Sequence, residues 1–496
     1  MSTVLLAIMV VPLAGAITAW LLPSRAGAVA TVASGTATFG LCLALVPAVA
    51  ADGGTSAVAA LGGWLRADSL SMVFLIATAF LYALTAVFAV GYVAADPSAT
   101  RLYSRRLYAG LNLFAWAMAM APVVNNLGLL WVAIEVTTVV SALLVAMEGT
   151  DAAIEAAWKY ILLASLGLGL SLLATAVIYH AGSYSLGQSY DLSYSQLLAA
   201  SSRFPAGTVR LAYLLAVLGF GTKVGLFPVH TWLPDAHSEA PTPVSALLSG
   251  SLLATSFYAI LRYYQVTQRV GAGSFARDVL AGFGVATLLL GALYLASQRD
   301  LKRLLAYSSI EHMGIIAIGV SFASPLAIAG ALLHVLAHAA AKGTSFFGAG
   351  SVVRKLRTKD LERARGAAGL LPWSGPMLVA GMLGLSGMPP FGTFRSELSI
   401  VAGGLSGGPQ ANTAEEAIAA VLVVLATAGF LGLSWHLTRA VLSPGPTSEG
   451  ERGEASKMIV VAMALGLAGL VVLGAHPPAQ LSQLFQGAAG ELGVRR

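Results

Sequence analysis

Charge is scarce in this chain: only 10% of its 496 residues are Asp, Glu, Lys or Arg, against 57% hydrophobic residues and a mean hydropathy of +0.80. Soluble proteins carry about a quarter charged residues, so a water-coated globule is excluded. Cysteine is almost absent. The single Cys42 lies inside an apolar run, can make no intramolecular disulfide and reads as packing, which also excludes a cysteine-held metal or iron–sulfur cluster on this chain. Rossmann glycines, a P-loop and a Cys-x-x-Cys pair are all lacking, so no cofactor is expected. The first apolar run, Ser2 to about Leu22, has no basic stretch ahead of it and is followed by Arg25, the pattern of a membrane helix and not of a cleaved signal.

What the chain does have is apolar runs of about 18 to 25 residues from end to end, each long enough for roughly 30 Å of hydrocarbon. They do not alternate in polarity, which excludes a β-barrel. Fourteen spans are expected: 2–22, 27–50, 69–94, 107–124, 126–147, 158–180, 207–228, 240–266, 274–297, 302–322, 325–352, 371–403, 415–440 and 457–474. The fold class is an all-α polytopic membrane protein, one transmembrane domain over residues 1–496, with the tail after Pro477 peripheral. The longest polar connections are 181–206 and 443–456, the latter with Pro444, Pro446, Glu449 and Glu451. The net charge of +6 belongs to loops and does not point to nucleic acid. With the N-terminus outside, 17 Lys and Arg fall on inward loops and 8 on the outward side, Arg495 and Arg496 among them. That bias places both termini outside the cell membrane.

The few ionisable residues inside the spans carry the chemistry, because each costs at least about 2.5–3.5 kcal/mol at the bilayer centre. They are Glu135, Lys223, His312 (after Glu311), His334, His338, Lys342, Arg395 and Glu397. His334, His338 and Lys342 step by four and share one helix stripe about 12 Å long. Histidine changes charge near neutral pH, so such a ladder can relay protons through water. The plain alternative is hydrogen-bonded glue between helices. A zinc site through His-x3-His lacks an acidic or cysteine partner nearby in sequence and is disfavoured. Helix breakers interrupt two spans: Gly221, Gly225 and Pro228 around Lys223, and Gly387, Pro389, Pro390 and Gly392 just before Glu397. Broken helices at membrane depth are tolerated where they line a protein-enclosed cavity, as at transporter ion sites. The paired breaks suggest an inverted repeat, although the charge precedes the prolines in one span and follows them in the other.

The stretch FGTKVGLFPVHTWLPDAHSEAPTPVSALLSG (220–250) resembles the antiporter-like membrane subunits of respiratory complex I, which are related to Mrp-type sodium/proton antiporter subunits and to complex-I-related nickel–iron hydrogenases. LWVAIEVTT (130–138), ASQRDLKRLLAYSSIEHMG (296–314), LAHAAAKGTSFFGAGSV (336–352) and PPFGTFRSELSI (389–400) extend the resemblance in family order. DAHSEAPTPVSALLSG with EAAWKYILL (155–163) is most similar to the hydrogenase-4 F-type component.

The resemblance implies a proton path. Glu135 matches the fifth-helix glutamate and Lys223 the seventh-helix lysine; His312 and His338 match central histidines, Lys342 a lysine of some paralogues, and Glu397 the twelfth-helix acid that exchanges with the far side. Paired with Glu135, Lys223 would stay protonated; with that carboxylate drawn away its proton would pass toward His338, Lys342 and Glu397. Ala254 stands where many relatives carry a lysine or histidine, so water, Ser249, Ser251, Thr255 or Ser256 must bridge there. Arg395 beside Glu397 would hold the acid ionised. The implied function is a proton-translocating subunit of a redox-driven complex, hydrogenase-like or NADH–quinone-like, with electron chemistry on partner subunits. The alternative is a subunit of a sodium/proton antiporter.

Overall fold

In this computed structural model, residues 1–406, 413–443 and 452–494 are described; Pro444, Pro446, Glu449, Glu451, Arg495 and Arg496 lie outside the described residues. Three apolar helices open the chain: α1 (Ser2–Leu21), α2 (Ser24–Gly54) and α3 (Ser69–Ala94). Five crossings follow. They are α4 (Arg101–Met120), α5 (Leu127–Val145), α6 (Asp151–Leu186) and, after the short α7 (Tyr194–Ala200), the broken pair α8 (Ala206–Val224) and α9 (Leu233–Glu239). The fifth is a rod of α10 (Thr242–Leu247), a π-turn (Leu248–Leu252) and α11 (Leu253–Arg269). Five more repeat the order: α12 (Gly273–Leu295), α13 (Leu301–Ser321), α14 (Pro325–Leu356), then, past the one-turn α15 (Ala367–Leu370), the broken pair α16 (Ser374–Leu385) and α17 (Gly392–Leu405), and α18 (Thr413–Leu437). The last crossing, α19 (Lys457–Ala475), leads into α20 (Ala479–Glu491).

Twelve of these helices are long and apolar enough to span a membrane. The arginine-bearing α4 and the broken α16/α17 complete the fourteen crossings, and the chain is a multi-pass membrane protein. Five is an odd number, so the second run of five enters the membrane from the side opposite to the first. The fourth crossing is broken in both runs, which gives the expected inverted repeat its structural form. Several spans differ from their expected limits: 107–124 is Arg101–Met120, 158–180 extends over Asp151–Leu186, and two are cut by helix breaks. Residues 371–403 form two helices, because Gly387 takes φ +66° and Pro389–Pro390 cannot continue the hydrogen-bond ladder. Span 207–228 stops at Val224, where Gly225 turns left-handed at φ +85°. A short hairpin, Val58–Ala60 paired with Leu65–Ala67, is a β element the apolar pattern did not foretell.

Seven helix starts follow local capping chemistry. Asp68, Thr100, Asn126, Thr150, Asp300, Ser324 and Ser456 each accept a first-turn backbone N–H from their helix, satisfying donors that lipid cannot. Burial then sorts the helices. The most apolar stretches of Thr242–Arg269 and of α13 are wholly buried and those of α3 and α14 nearly so, whereas those of α18 and α19 are 28% buried. In the second half the inner helices α13 and α14 carry Glu311, His312, His334, His338 and Lys342. At one end of the bundle the basic loop is pinned by ion pairs: Arg354 to Asp96 at 3.0 Å, Lys359 to Glu239 at 2.9 Å and Arg303 to Asp235 at 3.0 Å. The hairpin and α20 lie at the opposite end, α20 packed on α2 and α3.

Candidate functional site

Lys223 is fully buried at the end of α8, one residue before the break. Close packing of α8 on α6 sets its depth: a Cβ on Gly219 would meet Ser171 N at 2.5 Å, and one on Gly167 would meet Thr222 Oγ1 at 2.4 Å. The break exposes backbone groups, and these are satisfied inside the protein. Trp232 Nε1 donates to Thr222 O at 2.7 Å, and Phe227 N donates to Thr287 Oγ1 at 3.0 Å.

The expected direct pair of Lys223 with Glu135 is not formed. The Lys223 amine donates to Thr138 Oγ1 and lies 5.0 Å from the centre of the Tyr160 ring, whose hydroxyl pairs with Ser141 Oγ at 2.7 Å. Glu135 sits one turn before Thr138 on the same face of α5; one carboxylate oxygen accepts from Ser165 Oγ at 3.4 Å and the other has no partner. The threonine holds the space between the charges, so acid and amine interact through field and not by contact.

Of the hydroxyls expected to bridge past Ala254, two stay within their own helix. Thr255 and Ser256 bond back to their own helix, to Ser251 O and Leu252 O. Ser251 reaches Thr78 on α3 at 2.8 Å. Only Ser249, re-aimed by the π-turn, faces the second half, 2.6 Å from Ser309 Oγ on α13. Beside Ser309, Ser308 Oγ and Leu305 O accept from the fully buried Lys342 amine, the carbonyl at 2.7 Å.

The histidines form a cluster and not the expected linear ladder. His312 Nδ1 lies 2.9 Å from His334 Nε2, and His334 Nδ1 lies 2.8 Å from Ser396 Oγ. The Ser396 hydroxyl donates to Thr393 O at 2.6 Å, so it accepts from His334 Nδ1–H. His334 Nε2 then carries a lone pair and accepts from His312 Nδ1–H, which assigns both tautomers. His312 Nε2 and both nitrogens of His338 have no partner, and the His312 and His338 ring centres are 5.1 Å apart. Glu397 reaches this cluster from α17: the candidate ligand atoms of His312, His334 and Glu397 lie within 4.8 Å of one another. Its Oε2 lies where a Cβ on Gly387 would be, 2.4 Å away, so the break makes room for the acid. Arg395 turns away from Glu397, toward Gly474 O at 3.3 Å, and the expected clamp between them is not made.

Buried ionisable residues outside the expected site include Glu311, Lys302 and His237. Glu311 lies against Gly429 of α18 and interacts electrostatically with Lys342 and Glu397. Its place, the second crossing of the second five, matches that of Glu135 in the first. Lys302 donates to Ala240 O at 2.7 Å, and His237 bonds Leu233 O at 2.7 Å with its other nitrogen unpartnered. The rule that flagged His312, an ionisable side chain within an apolar span, covers Glu311 equally.

A multi-crossing helix bundle with two broken helices, a buried amine at one break, and buried imidazoles beside a half-buried acid at the other is the architecture of an ion-translocating membrane protein. The chain belongs to the NADH:quinone oxidoreductase/Mrp antiporter transmembrane family, whose profile matches residues 124–423. It is 36% identical over 356 residues to a hydrogenase-4 component F homolog of Methylacidiphilum infernorum, covering 70% of this chain and 74% of that one. It is 34% identical over 366 residues to NADH-quinone oxidoreductase subunit N of Desulforudis audaxviator, covering 72% and 71%. A chain of the membrane-bound sulfane sulfur reductase, an archaeal respiratory membrane complex, has the same fold with a TM-score of 0.85 at 22% identity, covering 99% of this chain and 98% of that one. The resemblance read from the motifs is thereby met, including its hydrogenase-4 F-type form.

Proposed function

We propose that the chain moves protons across the cell membrane as one transmembrane unit of a multisubunit redox-driven complex, hydrogenase-like or NADH–quinone-like. The observation that carries this reading is the series of titratable groups around the two helix breaks: half-buried Glu135 and buried Lys223 in the first half, and buried Lys342, Glu311, His312, His334 and His338 with half-buried Glu397 in the second. Ser249 and Ser309 bring the two halves together beside Lys342. Pro228, Pro389 and Pro390 mark the breaks that open room for these groups.

The mechanism is electrostatic. At an effective dielectric near 20, a unit charge about 10 Å away changes a buried cation by roughly 1.7 kcal/mol, more than tenfold in a protonation equilibrium. Displacing the Glu135 carboxylate destabilises the Lys223 ammonium, which unloads toward the second half. A cation arriving at Lys342 in turn drives a proton through the imidazole cluster to Glu397. A redox partner in the parent complex supplies the first displacement, and both termini face outward. A sodium/proton antiporter assembly is the second reading, favoured by the family's Mrp branch.

The lone chain separates them. Purified into proteoliposomes, it should show no sodium/proton exchange above empty vesicles, because the path runs laterally between helices and its driving event lies in another subunit. Robust exchange by the lone chain would overturn the redox reading in favour of the antiporter.

A further inference from the structure

The cluster at the second break has the chemistry of a metal site as well as of a proton relay. His312, His334 and Glu397 converge from α13, α14 and α17, each offering a ligand atom within 4.8 Å of the others, and the two imidazoles face each other through His312 Nδ1 and His334 Nε2, 2.9 Å apart. Two imidazoles and one carboxylate are a recurrent three-ligand set for zinc, at about 2.0–2.2 Å per bond. Ligand atoms in such a tetrahedral site stand about 3.3 Å apart, so the two imidazoles at 2.9 Å need to open by only a few tenths of an ångström, and the carboxylate closes the rest by rotating. Sequence distance had argued against a metal because no acid stands near His334 in the chain. The helix break removes that objection by bringing Glu397 back onto α14.

We propose that His312, His334 and Glu397 bind a zinc-type dication. Three independent features favour it. His334 donates its other ring N–H to Ser396, the outer hydrogen bond that orients a metal-bound imidazole. His338 stands beside the site, fully buried, with both ring nitrogens lacking a partner, and can supply a fourth ligand or hydrogen-bond a bound water. The nearest cationic side chain on α17, Arg395, is exposed and directed to Gly474 O, so it does not occupy the carboxylate. Imidazole ligands select zinc over magnesium or calcium, which take oxygen.

The hydrogen now shared between the rings sits on His312 Nδ1, and on metal binding it moves to the unpartnered Nε2. The neutral imidazoles therefore release no proton, and one leaves only when Glu397 was protonated. A bound ion would tie three helices together at this point and hold Glu397 against α14.

The test uses the purified full-length chain, loaded with Zn²⁺ and exchanged into metal-free buffer, with zinc per chain measured by atomic emission and its ligands by X-ray absorption. One zinc per chain with two imidazole nitrogens is expected. His312→Gln and Glu397→Gln should weaken retention at least tenfold, and Ser396→Ala by about 10–100-fold through loss of the outer hydrogen bond. His180→Gln and His476→Gln, on exposed positions, should leave it unchanged. A zinc shell without imidazole, no retained zinc, or loss only in the exposed-histidine variants would overturn the proposal. Because the X-ray measurement uses the unaltered chain, a misfolded variant cannot mask the result. No proton movement is read, so its failure would leave the proton-path reading standing.

Discussion

Glu311 and Glu135 occupy equivalent crossings of the two five-helix runs, and each interacts electrostatically with one buried lysine, Lys342 and Lys223 respectively. Glu311 packs so closely on α18 that a Cβ on Gly429 would come within 1.8 Å of its carboxylate. If it is the second-half counterpart of Glu135, Glu311→Gln should lower proton translocation by about tenfold or more while the complex still assembles, since the amide fills the same volume without the charge. Unchanged proton uptake by that variant would reduce Glu311 to packing. Seven of the site residues were legible because ionisable groups in hydrocarbon are rare enough to stand out one by one. Their hydroxyl partners were not. Thr138, Ser308, Ser309 and Ser396 are ordinary helix residues in sequence, and only the rotation of each helix decides that they face a charge. The same holds for the Lys223–Glu135 pairing: spacing could place both residues at one depth but could not foresee Thr138 between them.

At the scale of elements, the two breaks were legible from Gly and Pro, whereas the role of α20 was not, because its anchor is a long-range contact. The Glu491 carboxylate accepts from Ser69 N at 3.1 Å and Leu70 N at 3.3 Å, at the start of α3, beside Asp68, which pairs with Arg262 at 2.7 Å. Burial, with the Asp68 charge adding to it, pushes Glu491 up to about 8. The docked helix therefore holds a proton that the undocked one has lost between the ordinary value of 4.5 and about 8. Docking is strongest below that window and weakens as pH rises through it. Hydrogen exchange of the 479–491 amides, corrected for intrinsic rates, should show protection falling between about pH 6 and 8, and Glu491→Gln should flatten the profile. Protection that rises with pH, or an unaltered profile in the variant, would contradict this.

For the whole molecule, the count of crossings and the repeat followed from apolar runs and paired breaks, while α4 and α16/α17 show that length and hydropathy alone undercount crossings laden with arginine or split by proline. The side of the membrane rests on the distribution of Lys and Arg. Single cysteines at Thr358 and Gln486, in a Cys42→Ser background, should be respectively protected from and labelled by an impermeant thiol reagent on intact cells; the opposite pattern would invert the topology. The central claim is that Lys223, buried between the Thr138 hydroxyl and the helix break, acts as a titrating group. Proton uptake by inverted vesicles carrying the parent complex tests it most directly. Lys223→Ala should abolish uptake with the complex assembled, and Glu135→Gln should come close to doing so. Near-normal uptake by both variants would contradict the account.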